Sequence, residues 1–246
     1  MIDLKNKIIL VTGGSGLLGS SILNNIREHG GIAINLDLKF NESRSKFNYE
    51  CDITNNESFT SVINTITKKY LLISGFVNNA YPRTKDWHHK FEDIEYKSWQ
   101  KNIDMQLNSV FITTQCIAEI MKKQKFGSIV NIGSIYGSNA PDFNIYNGTE
   151  LTMPAAYSAI KGAVINFSKY LSSYYGKYGV RINTVSPGGI LNNQSSIFIN
   201  NYLKRVPLNR MANPDDISPM ISFLLSDNSS YLTGQNIIID GGLTVI

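Results

Sequence analysis

The sequence predicts an α/β fold with a doubly wound parallel sheet and helices on both faces. Short apolar runs alternate with segments of helical periodicity, which is the pattern of strands buried between two layers of helices. Glycines end the first apolar run, and no internal repeat or linker interrupts the alternation. At 246 residues, 42% hydrophobic and 17% charged, the chain resembles an ordinary globular domain. We therefore expect one domain over residues 1–246.

The predicted elements alternate along the chain. Residues 8–12 form a strand, residues 19–29 a helix and residues 32–37 a second strand, which together make a β–turn–α–β unit. The later strands are residues 72–78, 127–132, 180–185 and 236–240, and the later helices are residues 58–69, 99–123, 157–175 and 215–225. Residues 81–93 and 136–154 are irregular, and long loops in compact domains often bind ligands.

Charge and cysteine content exclude several function classes. The formal net charge is +4, and Lys and Arg are mixed with Asp and Glu, so no nucleic-acid arm is expected. Cys51 and Cys116 lie far apart without a CxxC partner, which argues against a disulfide framework or a zinc site. The N-terminus lacks a signal pattern, and no apolar run reaches the length of a membrane span. These observations predict a cytoplasmic protein without a membrane or nucleic-acid partner.

A glycine-rich turn joins the first predicted strand to the first predicted helix. Residues 12–19 read TGGSGLLG, and glycines there let the backbone approach a pyrophosphate closely. The helix directs free N–H groups and the positive end of its dipole towards the phosphates. A glycine motif alone can be a simple tight turn, but this strand–helix context favours a Rossmann-type dinucleotide site. The predicted contacts are Gly13, Ser15, Gly16, Leu17, Leu18 and Gly19.

Asp37 is the candidate for choosing between NAD and NADP. It ends the second predicted strand, about 20 residues beyond the glycines, where an acid accepts hydrogen bonds from the adenosine ribose. Its carboxylate would repel a 2′-phosphate, so NAD is favoured. Lys39 and Arg44 follow closely, and their positive charges keep NADP possible as the cofactor. Alternatively, Asp37 is a loop residue that merely caps the next segment.

Motifs along almost the whole chain resemble those of the short-chain dehydrogenase/reductase family. In order they are the glycine turn, NNA at residues 78–80, Gly133-Ser134, YxxxK from Tyr157 to Lys161, SPGG at residues 186–189 and DGG at residues 240–242. Each motif is a modest signal, but their order along one chain is specific. The resemblance implies about seven parallel strands and a homo-oligomer, a tetramer or a dimer.

The resemblance also implies residue roles. Ser134 would hold the substrate oxygen, Tyr157 would be the general acid/base, and Lys161 would bind the nicotinamide ribose and lower the pKa of Tyr157. The further cofactor contacts that it implies are Asp52, Ile53, Asn79, Ala80, Pro187, Gly188, Ile190 and Asn192.

The residue types suit this chemistry. Tyr157 and Lys161 are four apart and share one face of a predicted helix. A phenol has a pKa of about 10, and a nearby ammonium brings that pKa closer to neutral. Ser134 can donate to an oxygen that gains charge as hydride arrives. An isolated YxxxK pair is more often a packed Tyr and a snorkelling Lys, but the surrounding motifs favour catalysis.

Several positions depart from the family pattern. The glycine spacing is closer to the family's longer, two-part branch, although the chain length favours the single-domain branch. Gln106 stands where the family has an Asn that orders a water in the proton relay, and Gln could support the same water. Asn192 stands where the family often has a Thr that contacts the carboxamide of the cofactor. Tyr81 replaces a Gly after NNA, where its ring should narrow the cofactor groove.

The long insert before Tyr157 suggests a substrate class. It resembles that of bacterial family members linked to flagellin and surface-sugar modification, which suggests a sugar or sugar-phosphate substrate. Arg83, His88 and Tyr146 are candidate contacts, although each alone could be a solvated loop residue. His88 and His89 have no third ligand at metal-binding spacing, so no metal is predicted.

Three function hypotheses follow. The favoured one is a reversible alcohol/ketone oxidoreductase that uses NAD(H) on a small-molecule carbohydrate derivative. The alternatives are a dinucleotide-binding sensor or scaffold with little turnover, and an epimerase or dehydratase that uses bound NAD transiently. Intact Ser134, Tyr157 and Lys161 favour an enzyme over a sensor.

Overall fold

The strands form one parallel sheet. A computed structural model describes residues 2–40 and 45–246, and in these residues seven strands lie in the order β3-β2-β1-β4-β5-β6-β7. The chain begins in the sheet interior at β1, builds outward to β3, crosses to β4 and builds outward to β7. The predicted doubly wound sheet is confirmed. The strands are β1 (Ile8–Thr12), β2 (Ile32–Asp37), β3 (Asn48–Glu50), β4 (Gly75–Asn78), β5 (Gly127–Ile132), β6 (Val180–Pro187) and β7 (Asn236–Ile239).

Helices cover both faces of this sheet, and each face has its own apolar core. Side chains of α1 and α7 pack on one face, and side chains of α2, α4 and α5 pack on the other. No helix among the described residues combines the length and apolar character needed to cross a bilayer. The helices are α1 (Leu17–Glu28), α2 (Asn56–Tyr70), α3 (Tyr96–Ile103), α4 (Ser109–Gln124), α5 (Ala155–Tyr175), α6 (Ser196–Leu203) and α7 (Pro214–Leu225).

Strand β1 shows why the apolar runs predict buried strands. Successive side chains point to opposite faces of a sheet. Ile8 and Leu10 therefore join one core, while Ile9 and Val11 join the other. Both cores exclude water, so the strand must be apolar at every position rather than at alternate ones.

Two short elements were not predicted. Strand β3 is three residues long and lies at the sheet edge, where its side chains are partly exposed and need not be apolar. Helix α6 is eight residues long, and Phe198 and Tyr202 are its buried residues. The Ser195 hydroxyl caps it by accepting a hydrogen bond from the Phe198 N–H at 3.3 Å.

The predicted helix over residues 99–123 is interrupted. It begins earlier, as α3, and a π-helical turn at Asp104–Asn108 joins α3 to α4. The predicted strand over residues 72–78 is also shorter, because Leu71 at the end of α2 has φ 64° and the chain reaches the sheet only at Gly75. The π-helical turn matters for the site, since such turns often occur where a helix carries a functional residue.

Candidate active site

The motifs meet at the carboxyl edge of the sheet. Thr12 ends β1, Asn79 follows β4, Ser134 follows β5 and Gly188 follows β6. Strands β1 and β4 are neighbours, although β2 and β3 intervene in sequence, so the chain reverses its direction of growth between them. In open α/β sheets, ligands bind at this reversal, outside the carboxyl ends of the strands.

The glycine turn leaves no room for a side chain at Gly13 or at Gly19. Gly13 has φ +65°, and a Cβ on Gly19 would collide with the Gly13 carbonyl oxygen and the Gly14 Cα. The Asn79 amide donates to the carbonyl oxygens of Thr12 and Gly13, both at 3.0 Å. Strand β4 therefore fixes the shape of the turn that follows β1.

A groove of about 860 Å³ opens beside this turn. Its walls also include residues that were not predicted as cofactor contacts, among them Tyr81, Arg83 and Met105. The sequence-predicted cofactor residues that line it are Gly13, Ser15, Gly16, Leu17, Leu18, Gly19, Asp37, Asp52, Ile53, Asn79, Ala80 and Asn192.

The groove has the features that a dinucleotide requires. Gly16 is the N-cap of α1 and makes no side-chain cap, so the first N–H groups of the helix remain available for phosphate oxygens. A Cβ on Gly16 would meet only the Gly13 oxygen, at 3.3 Å, and would otherwise stand in open space at the groove. No acidic residue lies in the first turn of α1, so nothing there repels a phosphate.

Asp37 lies on the wall of the groove, and its carboxylate has a fixed orientation. One carboxylate oxygen accepts the Ser15 N–H at 2.9 Å, and the other accepts the Leu38 N–H at 2.7 Å. Lys39 lines the same groove. Arg44, the other residue that kept NADP open, lies outside the described residues. Asp52 also lines the groove, and its Oδ1 accepts from the N–H and the hydroxyl of Thr54.

Five predicted cofactor residues lie beyond this lining: Tyr157 and Lys161, described below, and three residues after the end of the β6 ladder or at its last position. Pro187 ends β6, Gly188 lines a separate cavity of about 140 Å³, and Ile190 forms an isolated bridge with Ala212. The neighbouring Gly189 N–H donates to the Tyr202 hydroxyl at 2.6 Å, so α6 holds this segment in place. The structure therefore connects the SPGG segment to α6 rather than to the glycine turn.

The three candidate proton-transfer residues converge between β5 and α5. The Ser134 hydroxyl accepts the Tyr136 N–H at 3.2 Å and donates to the Tyr157 oxygen. Lys161 Nζ donates to the Ile132 carbonyl oxygen at 2.7 Å and lies 5.6 Å from the centroid of the Tyr157 ring. The spacing of the YxxxK pair thus places a phenol and an ammonium side by side at the strand end.

Burial has the largest effect on the pKa values of Tyr157 and Lys161. It raises the pKa of Tyr157, and the hydrogen bond from Ser134 lowers that pKa by a smaller amount. Burial also lowers the pKa of Lys161 to about 8. The net direction for Tyr157 is opposite to the expected lowering, because both charged forms lose water in this pocket and the ammonium gives its hydrogen bond to the Ile132 carbonyl.

Gln106 lies in the π-helical turn and is buried, at 5% exposed. Both polar atoms of its side-chain amide lack a hydrogen-bond partner within the part of the chain that the structure describes. Buried amides are almost always paired in folded proteins. The orphaned amide is therefore suited to a group that the protein itself does not supply, as expected of a residue that orders a water.

The two irregular segments come together at His88. Its ring N–H donates to the backbone carbonyl of Thr152, which joins residues 81–93 to residues 136–154. Burial is the largest cause that lowers the pKa of His88, and the positive charge of Arg83 lowers it further. The Arg83 guanidinium lies 5.3 Å from the centroid of the Tyr81 ring. The clustering of polar and aromatic groups expected from the sequence is thus present.

Tyr146 lies in a different environment from the two cationic candidates. Its ring packs 5.5 Å from that of Phe198 on α6, centroid to centroid. Its hydroxyl lies 3.6 Å from Met153 Sδ and also makes a hydrogen bond with Tyr136. Tyr136 and Tyr157 interact electrostatically as well, which puts this tyrosine group beside the proton-transfer residues.

Trp87 and Tyr136 were missed as site residues. The Trp87 ring lies 6.3 Å from the Tyr157 ring, and Trp87 is 5% exposed. Trp87 lies in residues 81–93 and Tyr136 in residues 136–154. An aromatic residue in an irregular segment was therefore the sequence signal that could have identified them. His88 and His89 do not belong to any group of three or more His, Cys, Asp or Glu that could hold a metal ion in residues 2–40 and 45–246.

Comparisons with known proteins find similar sequences over nearly the whole chain. The family model described as Enoyl-(Acyl carrier protein) reductase matches residues 35–244. Post-translational flagellin modification protein A of Campylobacter coli is 34% identical, covering 97% of this chain and 98% of that protein. A 7alpha-hydroxysteroid dehydrogenase of Bacteroides fragilis is 31% identical, covering 98% of this chain and 95% of that protein.

A solved structure is similar over the same extent. The crystal structure of a short-chain dehydrogenase from Leptospira borgpetersenii with bound NAD⁺ superposes with a TM-score of 0.90. It is 35% identical, and the match covers 98% of this chain and 94% of that one. The two folds therefore agree over nearly the whole molecule. The chain therefore belongs to the short-chain dehydrogenase/reductase family of oxidoreductases.

Proposed function

We propose that this enzyme transfers a hydride between NAD(H) and an alcohol or ketone carbon of a sugar or sugar derivative. The observation that carries the proposal is the convergence of Ser134, Tyr157 and Lys161 at the end of β5. The Ser134 hydroxyl donates to the Tyr157 oxygen, and Lys161 Nζ lies 5.6 Å from the Tyr157 ring. Tyr81 joins this group to the groove, since it lines the groove and packs 5.6 Å from Tyr157.

Each of these residues has a role in moving the proton. In alcohol oxidation, Tyr157 takes the hydroxyl proton while the carbon loses hydride, and in ketone reduction it returns that proton. Ser134 donates to the substrate oxygen and steadies the charge that develops on it. Lys161 would hold the ribose, and Gln106 would order the water that carries the proton away. A bound nicotinamide supplies or accepts the hydride.

The orientation of Asp37 supports NAD over NADP. Two backbone N–H groups hold its carboxylate, so it cannot readily turn away from the groove. A ribose diol can donate hydrogen bonds to this carboxylate, whereas a 2′-phosphate would be repelled by it. Lys39 lies on the same wall, and its ammonium would offset part of this repulsion.

The side chains around Tyr157 support a sugar-like substrate. Rings of Tyr81 and Tyr146 offer apolar surface, while Tyr136, Arg83 and His88 offer polar groups near them. Sugars combine apolar C–H faces with many hydroxyls, so they require both kinds of contact. The similarity to a flagellin modification protein supports the same class. The hydroxysteroid dehydrogenase shows that family membership alone leaves the substrate class open.

A substrate panel tests the proposal. Purified enzyme is mixed with NAD or NADH and with sugars, sugar phosphates, nucleotide sugars and a hydroxysteroid, and NADH absorbance is followed. We expect turnover with a carbohydrate member and little with the steroid. Turnover with the steroid alone would contradict the sugar assignment. Substrate conversion without a net change in NADH would replace the oxidoreductase with an epimerase or dehydratase.

A further inference from the structure

Tyr81 lies between the cofactor groove and the proton-transfer residues, and the proposed mechanism gives it no role. Its ring lines the groove of about 860 Å³, whereas Ser134, Tyr157 and Lys161 do not. The same ring packs against Tyr157, with centroids 5.6 Å apart and an interplanar angle of 79°. Tyr81 is therefore the aromatic side chain that touches the cofactor side and the proton-transfer side together.

Three rings pack edge to face around this boundary. Tyr81 and Trp87 have centroids 5.7 Å apart at 80°, and Trp87 and Tyr157 have centroids 6.3 Å apart at 85°. The three planes are therefore nearly perpendicular to one another, which is a favoured geometry for aromatic pairs. A rotation of the Tyr157 ring would break its contacts with both partners at once. The Trp87 side chain is buried, so it forms a fixed wall for the other two rings.

Two cations lie against the Tyr81 ring. Lys161 Nζ is 5.7 Å from its centroid, and the Arg83 guanidinium carbon is 5.3 Å from it. Both distances fall within the range in which a ring face attracts a cation, about 6 Å. The Tyr81 hydroxyl accepts hydrogen bonds from the Trp87 and Arg83 side chains, so its own orientation is fixed. The ring thus contacts both members of the Tyr157–Lys161 pair.

We propose that Tyr81 is a positioning residue, whose ring holds Tyr157 and Lys161 in the orientation needed for proton transfer. The inference rests on the proposed function, because it assigns the proton transfer to Tyr157. The ring of Tyr81 makes the contacts with Tyr157 and Lys161, and its hydroxyl contributes only to the orientation of the ring. A residue that acts in this way affects the chemical step more than cofactor binding, since a small displacement of the reacting oxygen slows proton transfer steeply.

Two variants separate the ring from the hydroxyl. Tyr81→Phe keeps the ring, and Tyr81→Leu removes it but keeps an apolar side chain. Tyr231→Leu is the matched control, because Tyr231 is fully exposed and lies outside the groove lining. For each variant, kcat and KM with the panel substrate, NADH affinity by fluorescence and the near-ultraviolet circular dichroism of the aromatic rings are measured.

We expect Tyr81→Leu to lower kcat by about 10- to 100-fold, with NADH affinity within about twofold of the wild type. The tryptophan bands of its near-ultraviolet circular dichroism should weaken, whereas Tyr81→Phe should retain both kcat and these bands, and Tyr231→Leu should change neither. An unchanged kcat in Tyr81→Leu overturns the proposal, as does a loss in Tyr81→Phe equal to that in Tyr81→Leu. A fall in kcat that is accompanied by a similar fall in NADH affinity would overturn the positioning role and make Tyr81 a cofactor contact.

The experiment also separates this inference from the proposed function. If the wild type turns over no panel member, the proposed function fails. The circular dichroism of the variants is measured without substrate and still tests the ring arrangement. An unchanged near-ultraviolet signal in Tyr81→Leu would contradict the arrangement, even if turnover of the wild type were found.

Discussion

The two sides of Tyr157 are built in different ways. On the cofactor side, backbone atoms form the surface: glycines approach one another closely, and the Asn79 amide ties the turn together at Thr12 and Gly13. On the other side, side chains from residues 81–93 and 136–154 form the surface. An added atom at Gly13 or Gly19 meets neighbouring backbone, whereas a change at an outward-facing side chain of the second side alters the surface beside Tyr157.

The second side depends on helix α6 for support. Ile145 in the 136–154 segment is 1% exposed and packs with Phe198 and Tyr202 of α6. The Tyr202 hydroxyl in turn accepts the Gly189 N–H after β6. One small apolar cluster thus joins the insert to the end of the sheet. This arrangement lets the insert change its outward residues while its anchoring residues stay in place.

The largest effect is expected at Tyr157, where the two sides meet. Tyr157→Phe keeps the ring and its contacts with Tyr81 and Trp87 but removes the group that carries the proton. We expect kcat to fall by about 10³-fold, within the range typical of a lost general acid or base. NADH affinity, measured by fluorescence titration, should stay within about twofold, because the groove lining is unchanged. Normal turnover in this variant would remove Tyr157 from the mechanism.

Gly19 tests whether the cofactor side tolerates an added atom. In Gly19→Ala, the new Cβ would collide with backbone at Gly13 and Gly14, so the turn must shift. Overpacking of this kind costs about 1–3 kcal/mol, and we expect NADH affinity to fall by about 10- to 100-fold. Gly176→Ala is the matched control, because its Cβ would meet nothing within 4 Å. Equal NADH affinity in both variants would contradict the backbone description of this side.

The difference between the sides also determines what the sequence could predict. Strand β5 and the turn after β1 were predicted closely, because burial on both faces requires a continuous apolar run and the turn requires glycine. Asp37 was assigned to the groove for the same reason, since its distance from the glycines is fixed by one helix and one strand. These predictions therefore depended on the geometry of residues that are close in sequence.

The other side depends on contacts between distant residues, which a single sequence does not show. Nothing near Tyr81 indicates that its ring would pack on Tyr157, and the hydrogen bond from His88 to Thr152 joins two separate segments. The π-helical turn at Gln106 was hidden in an ordinary helical pattern, because one extra residue in a turn barely alters the periodicity.

A smaller effect is expected at Asp37, which selects between cofactors rather than forming the groove. Asp37→Ala removes the carboxylate that would face a 2′-phosphate, so NADPH affinity should rise by about tenfold relative to NADH affinity. Titration of both cofactors by fluorescence measures this ratio. Asp227→Ala is the control, because Asp227 pairs with Lys7 and lies outside the groove lining. An unchanged ratio in Asp37→Ala would mean that another residue selects the cofactor.

The smallest effect is expected at Tyr146, on the substrate side. Tyr146→Phe keeps the ring that packs on Phe198 and removes only the hydroxyl that contacts Met153 and Tyr136. One hydrogen bond contributes about 0.5–1.5 kcal/mol, so KM for the panel substrate should rise by roughly 2- to 10-fold. Both kcat and NADH affinity should be unchanged, because the proton-transfer group and the groove are intact. Tyr231→Phe, at a fully exposed position, serves as the control. If KM is unaffected, Tyr146 supports the insert through its ring alone, and the substrate contacts on this side fall to Arg83 and His88.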